Sequence, residues 1–200
     1  MPVESCEAGV GNRGEMPAEE WGGRIGWVIF GGEPAGPRIH SSMGTEIERK
    51  FLVAEAMSFD GPGRVMVQGY LALDPDGTEV RLRREDGLNT LAIKRGAGLV
   101  RHETEIDIDD AKAEGLWPLT EGRRVEKSRY LRMDGGVRVE VDVYGGALSG
   151  LVVAEVEFES EIEAIAFEPF GWLGEEITGN ARYRNNVMAR LGRIADEGEV

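Results

Sequence analysis

Two hundred residues, 41% of them hydrophobic, are enough for one compact domain with a real core. The 37 acidic residues outnumber the 23 Lys and Arg, giving a formal charge of −14, so the chain repels nucleic acid and anionic membrane and any anionic ligand must meet a focused basic site. The lone cysteine, Cys6, cannot close an internal disulfide, no run approaches the ~20 apolar residues of a membrane helix, and the N-terminus lacks a basic segment followed by an apolar stretch. A cytoplasmic protein is expected, with neither nucleic acid nor membrane as partner.

Residues 1–42 hold nine of the 29 glycines and only the short hydrophobic run Trp27 to Phe30. They read as a loose extension, or as sequence upstream of a start at Met43, with the folded domain at 43–200. The extension carries six acids and three bases, so the acidity belongs to the domain. From Thr45 onward a period of two recurs in short segments separated by Gly, Pro and Asp. Strands are predicted at 45–53, 64–73, 78–85, 89–95, 100–108, 124–132, 136–144 and 151–158. Asp74-Pro75-Asp76-Gly77, Gly96-Ala97-Gly98 and Asp134-Gly135-Gly136 read as hairpin turns. Helices are expected at 109–116, 160–167 and about 182–194. Eight strands and few helices predict an α+β, mainly β fold: an eight-stranded antiparallel β-barrel with a few outer helices.

The polar face of nearly every strand is charged. Glu46, Glu48 and Lys50 share one face of the first strand, opposite Ile47, Arg49, Phe51 and Val53. Val80 and Leu82 oppose Arg81 and Arg83, Ile93 opposes Lys94, and Val139, Val141 and Val143 alternate with Arg138, Glu140 and Asp142. Val152, Ala154 and Val156 alternate with Glu155 and Glu157. In the fifth strand, Ile106 and Ile108 oppose Glu103, Glu105 and Asp107 only with a register change around Thr104. One such strand alone is most simply a solvated outer face. Sorting by sign weakens that reading, because 46/48, 140/142 and 155/157 are acidic while 81/83 and 127/129 are basic, and ordinary surfaces intersperse both. An inverted barrel accounts for it, with the apolar face covered by outer helices and both charges converging on a lumen.

Such a lumen suits a triphosphate with a divalent metal. Arg81, Arg83, Lys94, Lys127 and Arg129 supply donors for phosphate oxygens. Glu46, Glu48, Glu155 and Glu157 suit Mg²⁺ or Mn²⁺, which take oxygen ligands and let phosphate complete the shell. Hydrolysis then needs a positioned water and no protein nucleophile. His40 and His102 lack the spacing of a zinc site, and no Gly-rich loop ends in Gly-Lys-Ser/Thr. Tyr70 and Tyr183 read as packing residues, Tyr183 being kept as a candidate contact from the C-terminal segment.

The run Glu46-Ile47-Glu48-Arg49-Lys50-Phe51-Leu52-Val53 resembles the ExExK signature of the CYTH, or triphosphate tunnel metalloenzyme, superfamily. Gln68-Gly69-Tyr70-Leu71, Arg81-Leu82-Arg83, Leu91 to Lys94, Glu121 to Tyr130, Glu155-Val156-Glu157-Phe158 and Glu176 to Asn180 follow in family order. The resemblance implies an eight-stranded tunnel and is strongest toward short bacterial inorganic triphosphatases. It implies that Lys50, Arg81, Arg83, Lys94, Lys127 and Arg129 contact triphosphate, that Glu46, Glu48, Glu155 and Glu157 hold metal, and that Lys50, Glu48 and Glu157 serve catalysis. Glu105, Glu140 and Asp142 match further acidic tunnel positions, and Arg123 or Arg124 would reach the mouth. Class IV adenylate cyclases and thiamine-triphosphatases share the superfamily, so the substrate stays open, as does a non-catalytic polyphosphate or nucleotide sensor. A homodimer through the apolar outer face is a further expectation.

Overall fold

The computed structural model describes residues 41–53, 58, 61–74 and 77–200. The extension before Ser41, with Cys6 and His40, and the Pro75-Asp76 pair of the first expected turn lie outside the described residues.

Eight strands form a closed antiparallel barrel: β1 (Ser41–Val53), β2 (Arg64–Leu73), β3 (Glu79–Glu85), β4 (Leu88–Ala97), β5 (Val100–Asp107), β6 (Arg124–Asp134), β7 (Val137–Tyr144) and β8 (Val152–Glu157). The order around the wall is β5-β4-β3-β2-β6-β7-β8-β1, and β1 closes it by pairing with β5 as well. β1 does this by dividing its length: Ser41 to Ile47 pair with β5, and Glu48 to Leu52 with β8. The strand therefore begins two residues before Met43. A four-residue strand β9 (Leu173–Glu176), which alternation did not predict, pairs with the far end of β1.

Tight turns set the registers. Asp86 and Gly87 both take positive φ, 48° and 80°, as do Gly135 and Gly136, 54° and 84°, the geometry that matches strand twist in two-residue hairpins. Gly98 and Leu99 join β4 to β5, whose pairing from Thr90↔Asp107 to Ala97↔Val100 is unbroken. The register change expected around Thr104 is absent, so Arg101, Glu103, Glu105 and Asp107 simply share one face.

The apolar faces point outward and are covered. Phe51, Val139, Val141, Ala154 and Val156 form one cluster with Leu173, against which Phe158, Phe167, Phe170 and Trp172 pack. Helix α2 (Glu161–Ala166), capped by the Ser160 hydroxyl, leads into this aromatic cover. Arg49 fastens it: its guanidinium donates to Glu176 at 2.6 and 2.9 Å and to the carbonyls of Ala164 and Phe167 at 3.0 and 2.8 Å. On the opposite wall, helix α1 (Asp110–Leu116) starts at the Asp109 cap and runs into a 3-10 turn, Trp117–Thr120. Trp117 lies between the guanidinium groups of Arg84 and Arg124, 4.2 and 4.4 Å from its ring centre. Such stacks contribute about 0.5–2 kcal/mol each. Helix α3 (Asn185–Leu191) closes one end, Met188 and Ala189 packing with Tyr70, Val125, Tyr144, Val153 and Ile177.

Candidate active site

Alternation places every second residue of the eight strands in the lumen, and on every strand but β2, which presents Gln68 and Tyr70, these include charged side chains. The cavity has a volume of about 300 Å³ and, among the described residues, is lined by eight acids and eight bases. That size is at the lower end for small-molecule sites.

The bases are held by carboxylates in three groups. Lys127 and Arg129 of β6 converge on Asp142 of β7; Arg129 makes a two-pronged pair with it at 2.7 Å and also reaches Glu155 at 2.7 Å and Glu140. Arg81 meets Glu103 at 2.9 Å, Arg83 meets Glu105 at 3.0 Å, and Lys94 bridges Glu46 and Glu103 at 2.7 and 2.9 Å. Lys50 sits between Glu155 and Glu48, 2.5 and 3.1 Å away. Burial alone would lower the Lys50 ammonium, but Glu155 and Glu48 reverse this and hold it above its ordinary value. Glu155 is the mirror case: burial would raise it, and Lys50, Arg129 and Lys127 hold it well below the usual carboxylate range. Lys127 goes the other way, lowered by burial more than Asp142 restores.

Glu46 and Glu157 are the carboxylates raised above the ordinary range. In Glu46 burial acts first and a hydrogen bond with Glu103 second; in Glu157 burial acts first, followed by the charges of Glu46, Glu140 and Glu48. Among the described residues no cation lies within ion-pair distance of Glu157. The acids therefore outweigh the bases locally where β1 and β8 run side by side, with Glu48 directly opposite Glu157.

Of the residues singled out in the sequence, Lys50, Arg81, Arg83, Lys94, Lys127, Arg129, Glu46, Glu48, Glu105, Glu140, Glu155, Glu157 and Tyr183 all line this one cavity, and Asp142, with no solvent exposure, anchors two of its bases from behind. Arg124 does not reach the mouth. It falls on the outward parity of β6, where Trp117 and the Thr120 hydroxyl hold it. Arg123 is likewise bonded to the Leu119 carbonyl, away from the lumen. Tyr70 is a packing residue that also borders the cavity; burial pushes its phenol up, and Gln68 donates to it at 2.9 Å. His102 sits on the outward face beside Thr45.

Sequence reasoning missed Glu79, Arg101 and Asn186. Glu79 accepts from the Asn186 amide at 2.6 Å and pairs with Arg101 at 3.4 Å; Arg101 also meets Glu48 at 3.4 Å. The signal was available for the first two, since Glu79 shares parity with Arg81 and Arg83, and Arg101 with Glu103 and Glu105. Asn186 belongs to no strand, and nothing local announces it.

A closed barrel that turns its apolar face outward and fills its lumen with both signs of charge is a tunnel for a polyanion. No protein-family model matches the chain. An inorganic triphosphatase of Nitrosomonas europaea is 47% identical over 146 residues, 72% of this chain and 97% of that protein. An inorganic triphosphatase of Acetivibrio thermocellus is 36% identical over 151 residues, 74% of this chain and 95% of that protein. A crystal structure of an inorganic triphosphatase superposes with a TM-score of 0.55 at 45% identity, covering 72% of this chain and 94% of the other. A Bacillus halodurans structure, 17% identical with a TM-score of 0.50 over 62% of this chain and 86% of its own, shares the fold alone. The chain belongs to the CYTH family of triphosphate tunnel proteins, alongside the inorganic triphosphatases.

Proposed function

We propose that this protein is a metal-dependent inorganic triphosphatase that hydrolyses the terminal phosphoanhydride bond of tripolyphosphate within its barrel. The observation that carries this is the balance of the lumen: eight acids against eight bases line it. A triphosphate brings several negative charges, and a balanced cavity holds them only if cations enter with it.

The donor set fits a hard dication. It is all carboxylate, without His or Cys, which suits Mg²⁺ or Mn²⁺. Among the described residues no three acids converge closely enough to hold an ion unaided. Mg²⁺ commonly takes one or two carboxylates and completes its shell with phosphate oxygens and water. Glu46, Glu48 and Glu157 would hold it. Glu155 is engaged by Lys50 and Arg129, and joins this set only where phosphate draws those cations away. When bound, the ion polarises phosphate oxygens and acidifies water.

Arg81, Arg83, Lys94, Lys127 and Arg129 trade carboxylate partners for phosphate oxygens, Arg by its two-pronged fork. Lys50, kept protonated by Glu155 and Glu48, donates to the reacting phosphate. Glu48 or Glu157 takes the proton of the attacking water as the bond from the terminal phosphorus to the bridging oxygen breaks, leaving pyrophosphate and phosphate. Helix α3 closes the tunnel at one end, its Asn186 bonded to Glu79.

Incubating the full chain with Mg²⁺ or Mn²⁺ and tripolyphosphate, ATP or thiamine triphosphate, and following phosphate, pyrophosphate and cyclic nucleotide, tests the assignment. Phosphate from tripolyphosphate fastest is expected. Cyclic nucleotide from ATP would make it a cyclase, and no product from any substrate a sensor. The lone Cys6 supports a cytoplasmic setting, and the −14 charge supports partners other than nucleic acid or membrane. The exposed Ile162 and Ile165 on α2 support a dimer through the outer face, which sedimentation of the full chain would test.

A further inference from the structure

The two carboxylate oxygens of Glu48 are used unequally. Lys50 and Arg101 both meet Oε1, at 3.1 and 3.4 Å, and among the described residues nothing bonds Oε2. The backbone beneath is held as well, because the Glu48 N–H donates at 3.2 Å to the Leu99 carbonyl in the turn that leads into β5. Lys50 stands on the same strand as Glu48 and lies closer to Glu155, at 2.5 Å. Arg101 reaches Glu48 from β5 with one terminal nitrogen, and its other terminal nitrogen donates to Glu79 of β3 at 3.4 Å. Glu79 is only 4% exposed, and its second oxygen accepts from the Asn186 amide of α3 at 2.6 Å. Lys94 lies beside Glu79 in the β3–β4 register but bonds Glu46 and Glu103 instead. Among the described residues, Arg101 is therefore the cation in ion-pair reach of Glu79. A buried carboxylate is costly unless paired and hydrogen-bonded, so Glu79 and Asn186 fix where Arg101 stands, and Arg101 fixes one oxygen of Glu48.

We propose that Arg101 is a positioning residue for the metal: by holding Oε1 of Glu48 it leaves Oε2 free for the ion that Glu46 and Glu157 would share. The inference rests on the metal-dependent reading above. Partners that orient a ligating carboxylate are worth about 10- to 100-fold in metal affinity. The task needs arginine, whose planar guanidinium reaches two acids on two strands, whereas a lysine ammonium keeps the charge but is a single point.

The test compares the full chain with Arg101→Lys and Asn186→Ala, neither of which changes a charge. Mn²⁺ binding is read from the free-ion paramagnetic resonance signal, tripolyphosphate binding without metal by calorimetry, and folding by thermal melting. Arg101→Lys should weaken Mn²⁺ binding about tenfold or more and raise the Mg²⁺ concentration for half-maximal turnover in step, while metal-free tripolyphosphate affinity stays within about twofold. Asn186→Ala, which loosens Glu79, should act in the same direction and by less. Where the ion enters only with substrate, the half-maximal Mg²⁺ concentration carries the same comparison. Unchanged metal dependence in folded Arg101→Lys overturns the proposal, and if that variant does not fold, unchanged metal dependence in Asn186→Ala does so. Loss of metal-free tripolyphosphate binding with Mn²⁺ binding intact overturns it too, and makes Arg101 a phosphate contact. If the full chain binds no Mn²⁺ and cleaves tripolyphosphate in the presence of a chelator, the metal-dependent reading fails and the proposal with it; if the full chain responds to metal and both variants match it, the proposal alone fails.

Discussion

Glu157 stands apart among the lumen carboxylates because it faces three others and, among the described residues, no cation within ion-pair reach. In the proposed mechanism, replacing it by Gln removes both a metal ligand and a proton acceptor, so metal-dependent turnover should fall by about 10²-fold or more. Steady-state kinetics checks this, and near-normal kcat would sink the metal assignment. Arg83→Ala removes one donor and leaves the acids in place, so its effect should appear as a rise in KM of about tenfold or more. Asp142 plays a different part, because it has no solvent exposure and neutralises both Lys127 and Arg129. Asp142→Asn leaves two buried cations short of a partner and should cost about 3–5 kcal/mol, read by denaturant titration. Most of these residues were legible in the sequence because strand parity alone decides which side chains share a lumen. Arg124 was misplaced because it neighbours Arg123 in a basic run, where composition hides parity; Val125, Lys127 and Arg129 set the inward face, and Arg124 falls outside it.

The outer cover shows which elements a pattern can and cannot reveal. All eight barrel strands lie where they were predicted, β5 without the register change expected around Thr104, and α1, α2 and α3 lie within the expected helical stretches. β9 escaped because Leu173-Gly174-Glu175-Glu176 carries no alternation. It exists through tertiary contact: a Cβ on Gly174 would stand 2.9 Å from the Leu52 carbonyl, so only glycine lets the backbones approach. Arg49 had to be read as part of an apolar face for the same reason; its partners lie 115 to 127 residues away. Phe51, 1% exposed, is packed beneath that cover, 6.3 Å from the Phe167 ring. Phe51→Ala should therefore cost about 3–5 kcal/mol of stability, most of it through the cavity left between β1 and α2. Thermal melting checks the size, and a loss under about 1 kcal/mol would mean the cover collapses onto the gap.

For the molecule as a whole, the opposed charges of the tunnel tie stability to pH. Glu155 is held below its ordinary value of 4.5 because Lys50, Arg129 and Lys127 outweigh its burial. A carboxylate depressed in the folded state contributes stability that is present above its ordinary value and lost as pH falls through its folded value. Glu46 and Glu157 have the opposite sign, since a raised carboxylate favours the folded state more as it protonates. Their partial gain just above 4.5 should flatten the profile in mildly acidic solution, and the loss from Glu155 should then unfold the protein at lower pH. Melting curves across roughly pH 3 to pH 7 would show this two-part course. Tripolyphosphate with Mg²⁺ should raise the melting temperature more at neutral pH than in mildly acidic solution, because Glu46 and Glu157, both raised by burial, are more fully ionised there.

The double engagement of β1 has a consequence for how the site comes into being. Lys50 and Glu155 touch across a separation of 105 residues, and the seam between β1 and β8 is the step that turns a curved sheet into a tube. A nascent chain that has emerged only as far as Tyr144 holds Arg81, Arg83, Arg101 and Arg129 and most of the lumen acids, yet has no enclosed space in which to oppose them. At synthesis rates of about 5–20 residues per second, the first strand must wait several seconds beside an open sheet with unpaired backbone groups. Catalytic competence therefore arrives late, after the last barrel strand and the C-terminal segment that lines the cavity with Tyr183 and Asn186, so a chain stalled before β8 should have no triphosphatase activity to lose.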